Sequence, residues 1–248
     1  MRFGRFSMLA LALAAGAVDA LSFLALGQVF TANMTGNIVL LGLALGTGDA
    51  SHVIRSGIAL AAFCLGLAIG FTLLGGTTPA GRAPPREREP AEGPAGGPVG
   101  GPAGVPIGVP VRPLVVLVAE LALLLVVAAG WAARVLPHPA LIAASGTAMG
   151  LQSAVTRWAG GPGLSTTYVT GTLTSLAGRA VGPRSGVLRP LGVVLCVVSG
   201  AVVAASALRV HAAVTPFIAP ATVAAATAAW ALTATHRTGP RPRGRPAL

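Results

Sequence analysis

Residues 8–47 read MLALALAAGAVDALSFLALGQVFTANMTGNIVLLGLALGT, and three features of this stretch decide the fold class. It opens on a nearly unbroken apolar run over 8–27, about the 20 residues an α-helix needs to cross the hydrocarbon core of a bilayer. One acid, Asp19, lies inside that run, where an ionisable group costs roughly 2.5 to 3.5 kcal/mol on insertion scales unless it faces a cavity or a partner. After a Thr- and Gly-rich turn, apolar sequence resumes over 36–47 and stops short of a comfortable crossing length. A re-entrant or broken helix has this form, because irregular backbone at membrane depth survives only where protein or a water-filled cavity satisfies its N–H and C=O groups.

Outward from this stretch, the same length criterion selects five further spans, roughly 55–76, 113–135, 139–157, 187–208 and 214–235, and a second short segment over 168–181. The expected fold is an all-α, polytopic transmembrane helix bundle, with about six full spans and two short re-entrant or broken helices. Composition agrees. The chain is 54% hydrophobic and only 9% charged, where soluble domains carry about 25%, and its mean hydropathy is +0.79. A formal charge of +11 suits nucleic acid only when it forms a face on a soluble fold, whereas the 17 basic residues, all arginine, fall between apolar stretches. A positive-inside topology explains them, and no nucleic-acid partner is expected.

Arginine placement also arbitrates the number of crossings. With a cytoplasmic N-terminus, six spans put 14 arginines inside and three, Arg55, Arg134 and Arg209, outside; eight spans would keep only 11 inside. Six is favoured, with both termini cytoplasmic. Arg2 and Arg5 ahead of the first run imitate a signal peptide, but apolar sequence resumes at Leu21, so the run is read as an uncleaved span. The whole chain, 1–248, is read as a single transmembrane domain. Residues 77–113, rich in Pro and Gly and carrying Arg86-Glu87-Arg88-Glu89, are read as a disordered cytoplasmic loop. Residues 236–248 form a basic, solvated tail suited to anionic headgroups.

The two short segments resemble each other. Thr31-Ala32-Asn33-Met34-Thr35-Gly36-Asn37 aligns with Thr166-Thr167-Tyr168-Val169-Thr170-Gly171-Thr172, with Thr, Thr and Gly coinciding. An apolar helix with a polar residue precedes each (Asp19, Gln152), and a span with a cysteine follows each (Cys64, Cys196). This predicts an internal repeat, 8–135 and 139–235. With six spans each half crosses three times, so the second half is inverted, and such folds place a site near the midplane. With eight spans the repeats are parallel.

The combination Gly16-Ala17-Val18-Asp19-Ala20-Leu21-Ser22-Phe23, Val29 to Asn37, Gln152-Ser153-Ala154 and Ser165 to Thr172 resembles the YoaK-like family of uncharacterised bacterial membrane proteins (domain of unknown function 1275). The resemblance covers nearly all the apolar sequence, while the Pro/Gly loop departs from the family's pattern. It implies a multi-span protein of a bacterial cytoplasmic (inner) membrane and carries over no substrate and no catalytic residue.

Asp19 is the first functional candidate, against a packing role on Gln152 or the Thr motifs. Asn33, Thr35, Asn37, Gln152, Thr166, Thr167, Thr170 and Thr172 supply amides and hydroxyls where helices restart; they suit either a ligand-lining role or capping of orphan N–H groups. Glu120, about two turns into its span, is read as a proton relay or as a structural acid reaching headgroups or an arginine. Cys64 and Cys196 read as small core residues, and the pairs Gly42/Gly46, Gly66/Gly70 and Gly146/Gly150 as helix-contact or dimer motifs. His52, His138 and His211 share no metal-ligand spacing, so no metal and no cofactor are expected. No catalytic motif occurs in a suitable context, and the chain is not read as an enzyme. The leading expectation is a small-solute or ion permease in the lipid bilayer. The alternative is a non-transporting scaffold or assembly factor, with a homo-oligomer open in either case.

Overall fold

The computed structural model describes residues 4–76, 111–160 and 188–236, and Gly171, Leu173, Thr174 and Ala177 between them. Among the described residues all regular structure is helical: α1 (Arg5–Ala25), α2 (Met34–Thr47), α3 (Ala50–Leu74), α4 (Val111–Ala132), α5 (His138–Gly160), α6 (Leu188–Val210), a 3-10 turn (Thr215–Phe217) and α7 (Ile218–His236). The charged loop expected over 77–113 lies outside the described residues except at its last three positions, and the tail does so beyond His236. So do most of the second short segment and the whole of Thr166, Thr167, Thr170 and Thr172.

Local chemistry sets the helix ends. Asn33 caps α2 through its side chain, which accepts from Gly36 N at 3.3 Å. Gly48 then ends α2 in the left-handed conformation (φ 71°), and Asp49 starts α3 by accepting from His52 N at 3.0 Å. Two residues therefore reverse the chain between α2 and α3.

Among the described residues, six long helices alternate in direction. At one end of the bundle, Leu26 and Val29 pack with Ile58, Val127, Trp131, Leu136, Leu141 and Ile142. At the same end Arg55 donates to Gly27 O at 3.3 Å, the His52 ring lies 3.3 Å from Gln28 O, and Trp131 Nε1 donates to Ala212 O at 3.0 Å. There α1, α4 and α6 finish and α3, α5 and α7 begin. The larger apolar cluster reaches the opposite end through Met8, Leu74, Leu114, Trp158 and Trp230. Arg55, Arg134 and Arg209 lie at the first end; Arg5, Arg112 and Arg157 lie at the second.

The path of α2 follows from these contacts. Thr31 and Ala32 return to Asp19, six residues inside α1, or about 9 Å at 1.5 Å per residue. From there α2 leads back to the start of α3 at the first end. With 14 residues it is about 21 Å long, short of the roughly 30 Å hydrocarbon core. It enters and leaves at the same end, as a re-entrant helix does.

Backbones meet most closely in two pairs, α1 with α6 and α3 with α5. A Cβ on Gly16 would lie 2.0 Å from Val197 O, and one on Gly200 would lie 2.0 Å from Leu13 O. In the other pair a Cβ on Gly66 would lie 2.1 Å from Thr147 O, and one on Gly150 would lie 2.2 Å from Phe63 O. Small residues at these crossings let dispersion act over whole helix faces, the main source of helix association where lipid is as apolar as leucine. Gly42 and Gly46 on α2 have nothing within 4 Å.

The distribution of polarity is that of a protein dissolved in lipid. Ile38, Leu43, Leu65, Leu195, Val202 and Leu232 are exposed, whereas Ser22, Thr31, Asn37, Glu120, Gln152 and Thr156 are buried. Among the described residues, five helical segments are long and apolar enough to cross a membrane: Arg5–Ala25, Ala50–Leu74, Val111–Ala132, Pro190–Val210 and Thr215–Thr233. The sixth expected span, α5, has the required length but is more polar, with Ser145, Gln152, Ser153 and Thr156 buried among its neighbours. A helix shielded from lipid on most sides has no need of an apolar surface all round. The cysteines correct the sequence reading: Cys64 is exposed and Cys196 half-exposed, so neither is a core residue.

Candidate functional site

Among the described residues, two polar regions of the bundle are built differently. The first is the turn between α1 and α2. Half-buried Asp19 accepts through Oδ1 from Thr31 N at 2.8 Å and Ala32 N at 2.7 Å. One turn on, Ser22 Oγ donates to Val18 O at 2.8 Å and lies 3.4 Å from Thr31 Oγ1. Asn37, fully buried, clamps Phe30 from both sides: its Oδ1 accepts from Phe30 N at 2.9 Å and its Nδ2 donates to Phe30 O. Phe30 in turn stacks on Phe23 of α1, with centroids 5.0 Å apart. The result is a re-entrant loop whose backbone groups are met by side chains, as membrane depth requires.

Asp19, Asn33 and Asn37 are thus brought together, and each bonds to backbone, Asn37 Nδ2 also lying 3.7 Å from Met34 Sδ. Thr35 shares the segment but is exposed. Gln152 stands apart: fully buried on α5, it donates through Nε2 to Leu11 O of α1 at 3.0 Å. The packing partner of Asp19 is therefore the Thr31 segment and not Gln152. Ser22 and Thr31 belong to the site although sequence reasoning passed over them. Ser22 lies one helical turn from Asp19, a spacing from which it could have been found.

The second region is the interior face of α4. Glu120 is fully buried, and among the described residues neither Oε1 nor Oε2 has a hydrogen-bond partner. The expected reach to headgroups or an arginine does not occur; among the described residues the ion pair formed is His52 with Asp49 at 3.8 Å. The reason is rotational. Glu120 shares its helix face with Val116, Leu117 and Leu124, all buried, so the side chain enters the bundle instead of its surface.

One turn from Glu120 toward the first end, Leu124 borders a cavity of about 10 Å³, room for one water. Ala17, Val18, Ser145, Thr215 and Ala219 complete much of its wall. Among the described residues no cluster of three His, Cys, Asp or Glu side chains forms a metal site.

The comparisons with known proteins place this architecture. The model of the family described as a protein of unknown function (DUF1275) matches residues 7–230. The UPF0700 transmembrane protein YoaK of Bacillus subtilis (strain 168) is 52% identical over 65 residues, 26% of this chain and 29% of that protein. The chain thus aligns with under a third of the length of that curated relative. No solved structure matches. The family match begins two residues into α1 and ends inside α7, across every helix described above, and on that extent the chain belongs to the DUF1275 family of multi-span membrane proteins.

Proposed function

We propose that the chain is a permease for a small solute or ion, built as an inverted repeat, with its site near the midplane at the Thr31–Asn37 segment and its counterpart over 166–172. The observation that carries this reading is the reciprocity of the glycine crossings. One register shift takes Gly16 onto Gly150, Gly66 onto Gly200, Leu13 onto Thr147 and Phe63 onto Val197, and so exchanges the α1/α6 crossing with the α3/α5 crossing. The directions support it as well: α1 runs against α5, and α3 against α6. Inverted repeats with interrupted helices at mid-depth are a recurrent transporter plan.

In this reading the end carrying Arg5, Arg112 and Arg157 faces the cytoplasm of a bacterial inner membrane, as the positive-inside rule favours. Asp19 coordinates or couples while holding the re-entrant loop. A scaffold or assembly role draws on the same site differently, since Asp19, Asn33 and Asn37 all bond to backbone.

Flux separates the two. The full chain in liposomes is screened with a panel of ions and small polar solutes by solid-supported-membrane currents, beside Asp19→Asn. Asn keeps an acceptor oxygen for Thr31 and Ala32 but removes the charge. A current present in the wild type and lost in a folded Asp19→Asn supports the permease; equal currents in both deny Asp19 its role, and none in either supports the scaffold.

A further inference from the structure

We propose that Glu120 is a proton-binding site inside the bundle, exchanging its proton with the first end through the cavity beside Leu124, and that solute movement is thereby coupled to protons. Only the coupling rests on the permease reading; the proton site stands on its own geometry.

Glu120 is fully buried and both its oxygens lack partners. Buried Ser22, Ser153 and Thr156 turn back to a carbonyl of their own helix; Ser56 Oγ, like the Glu120 carboxyl, has no partner among the described residues, but a hydroxyl carries no charge to lose. A carboxyl group on α4 with no donor and no cation has no such structural use, and the neutral acid is the form that fits such a place. The elements packed on α4 carry His52, Arg55 and Cys64 on α3, His138 and Arg157 on α5, none in the 3-10 turn, and none on α7 before His236; α4 itself adds Arg112. None of these bonds to Glu120.

The cavity lies on the side of Glu120 that faces the first end, with Leu124 and not Glu120 itself in its wall. Leu124 sits one turn from Glu120 on the same face of α4, and Ser145 and Thr215 bring hydroxyl groups to the wall at a space the size of one water. In the packed state the acid keeps its proton. When α4 parts from α5 and α7 enough to admit water, the carboxyl O–H bond breaks, the proton passes to a water molecule as hydronium, and the carboxylate is solvated by the entering water. Closure returns one proton to the carboxylate, and no other bond changes.

Infrared difference spectroscopy on the full chain in lipid bilayers tests this through the C=O stretch of a protonated carboxyl group. The expected wild-type band shifts on transfer to D₂O, is absent from Glu120→Gln and persists in Asp19→Asn. Ala219→Leu, which fills the cavity wall, slows the shift at least tenfold. A wild type with no band, or a band that survives Glu120→Gln, overturns the proton site. A band that never shifts, or shifts as fast in Ala219→Leu, overturns the route. Solute flux that is indifferent to a proton gradient, with the band intact, removes the coupling alone, and absence of any flux counts against the permease reading without touching the band.

Discussion

Asp19 and Glu120 are both acids within membrane-length helices, yet their surroundings differ in kind. Asp19 has two backbone N–H groups on one oxygen and a loop that depends on it; Glu120 has no partner on either oxygen and nothing that depends on it for shape. The contrast teaches that a polar residue at membrane depth is not by itself a mark of function. Asp19 is accounted for by the needs of re-entrant backbone, whereas Glu120 is not accounted for by structure at all. The residue that structure leaves unexplained is the stronger candidate for chemistry.

Mutations sharpen this contrast. The largest expected effect comes from the crossings that frame both regions. Gly16→Leu and Gly150→Leu each drive a side chain into a backbone carbonyl of the facing helix, with even a Cβ at 2.0 and 2.2 Å. Both should lose the folded peak in size-exclusion chromatography, at a cost of more than about 3 kcal/mol, the upper end for overpacking. If only one of the two is damaging, the reciprocity of the crossings fails.

Next is Asp19→Ala, which strands the N–H groups of Thr31 and Ala32 at about 1–3 kcal/mol each, or roughly 2–4 kcal/mol together where water partly compensates. Thermal unfolding in detergent should show a clear drop for Asp19→Ala and less than about 1 kcal/mol for Asp19→Asn, which keeps the acceptor. Comparable losses for the two would mean that charge, and not hydrogen bonding, holds the loop. Glu120→Gln should be close to neutral by the same measurement, and Glu120→Met neutral or stabilising, since no partner is lost and a costly polar group is removed. A loss above about 2 kcal/mol in Glu120→Met would reveal a partner and end the contrast. Smallest is Gly42→Ala, which meets open space; helix propensity alone predicts a gain of up to about 1 kcal/mol.

Much of the fold was legible in the sequence because bilayer thickness imposes a length that apolar runs must match. The first span, the short segment at 36–47 and the arginines at helix ends were all readable for that reason. The span over 139–157 was found by length although α5 is the polar helix of the set, its Ser145, Gln152 and Thr156 being sheltered by neighbours. Less of the site was legible. The motif Thr31 to Asn37 announced a helix restart, but which of its polar atoms serve backbone depends on how the loop folds back to Asp19. The rotation of α4 was misjudged for Glu120, since its neighbours in sequence are apolar all round and give no sign of which face meets protein. The exposure of Cys64 was missed on the same ground.

The account rests most heavily on a path in which α2 does not cross. Single cysteines at Gly48, Val135 and Gly76, in a chain with Cys64 and Cys196 replaced, are to be labelled in intact cells with a membrane-impermeant maleimide. Gly48 and Val135 belong to the end where α1 and α4 finish, and Gly76 follows α3 at the other. The account predicts labelling at Gly48 and Val135 from outside, with Gly76 reacting only after permeabilisation. Labelling of Gly76 from outside with Gly48, Val135 and a further cysteine at Gly4 all protected would make α2 a full crossing, and the inverted repeat would be lost with it.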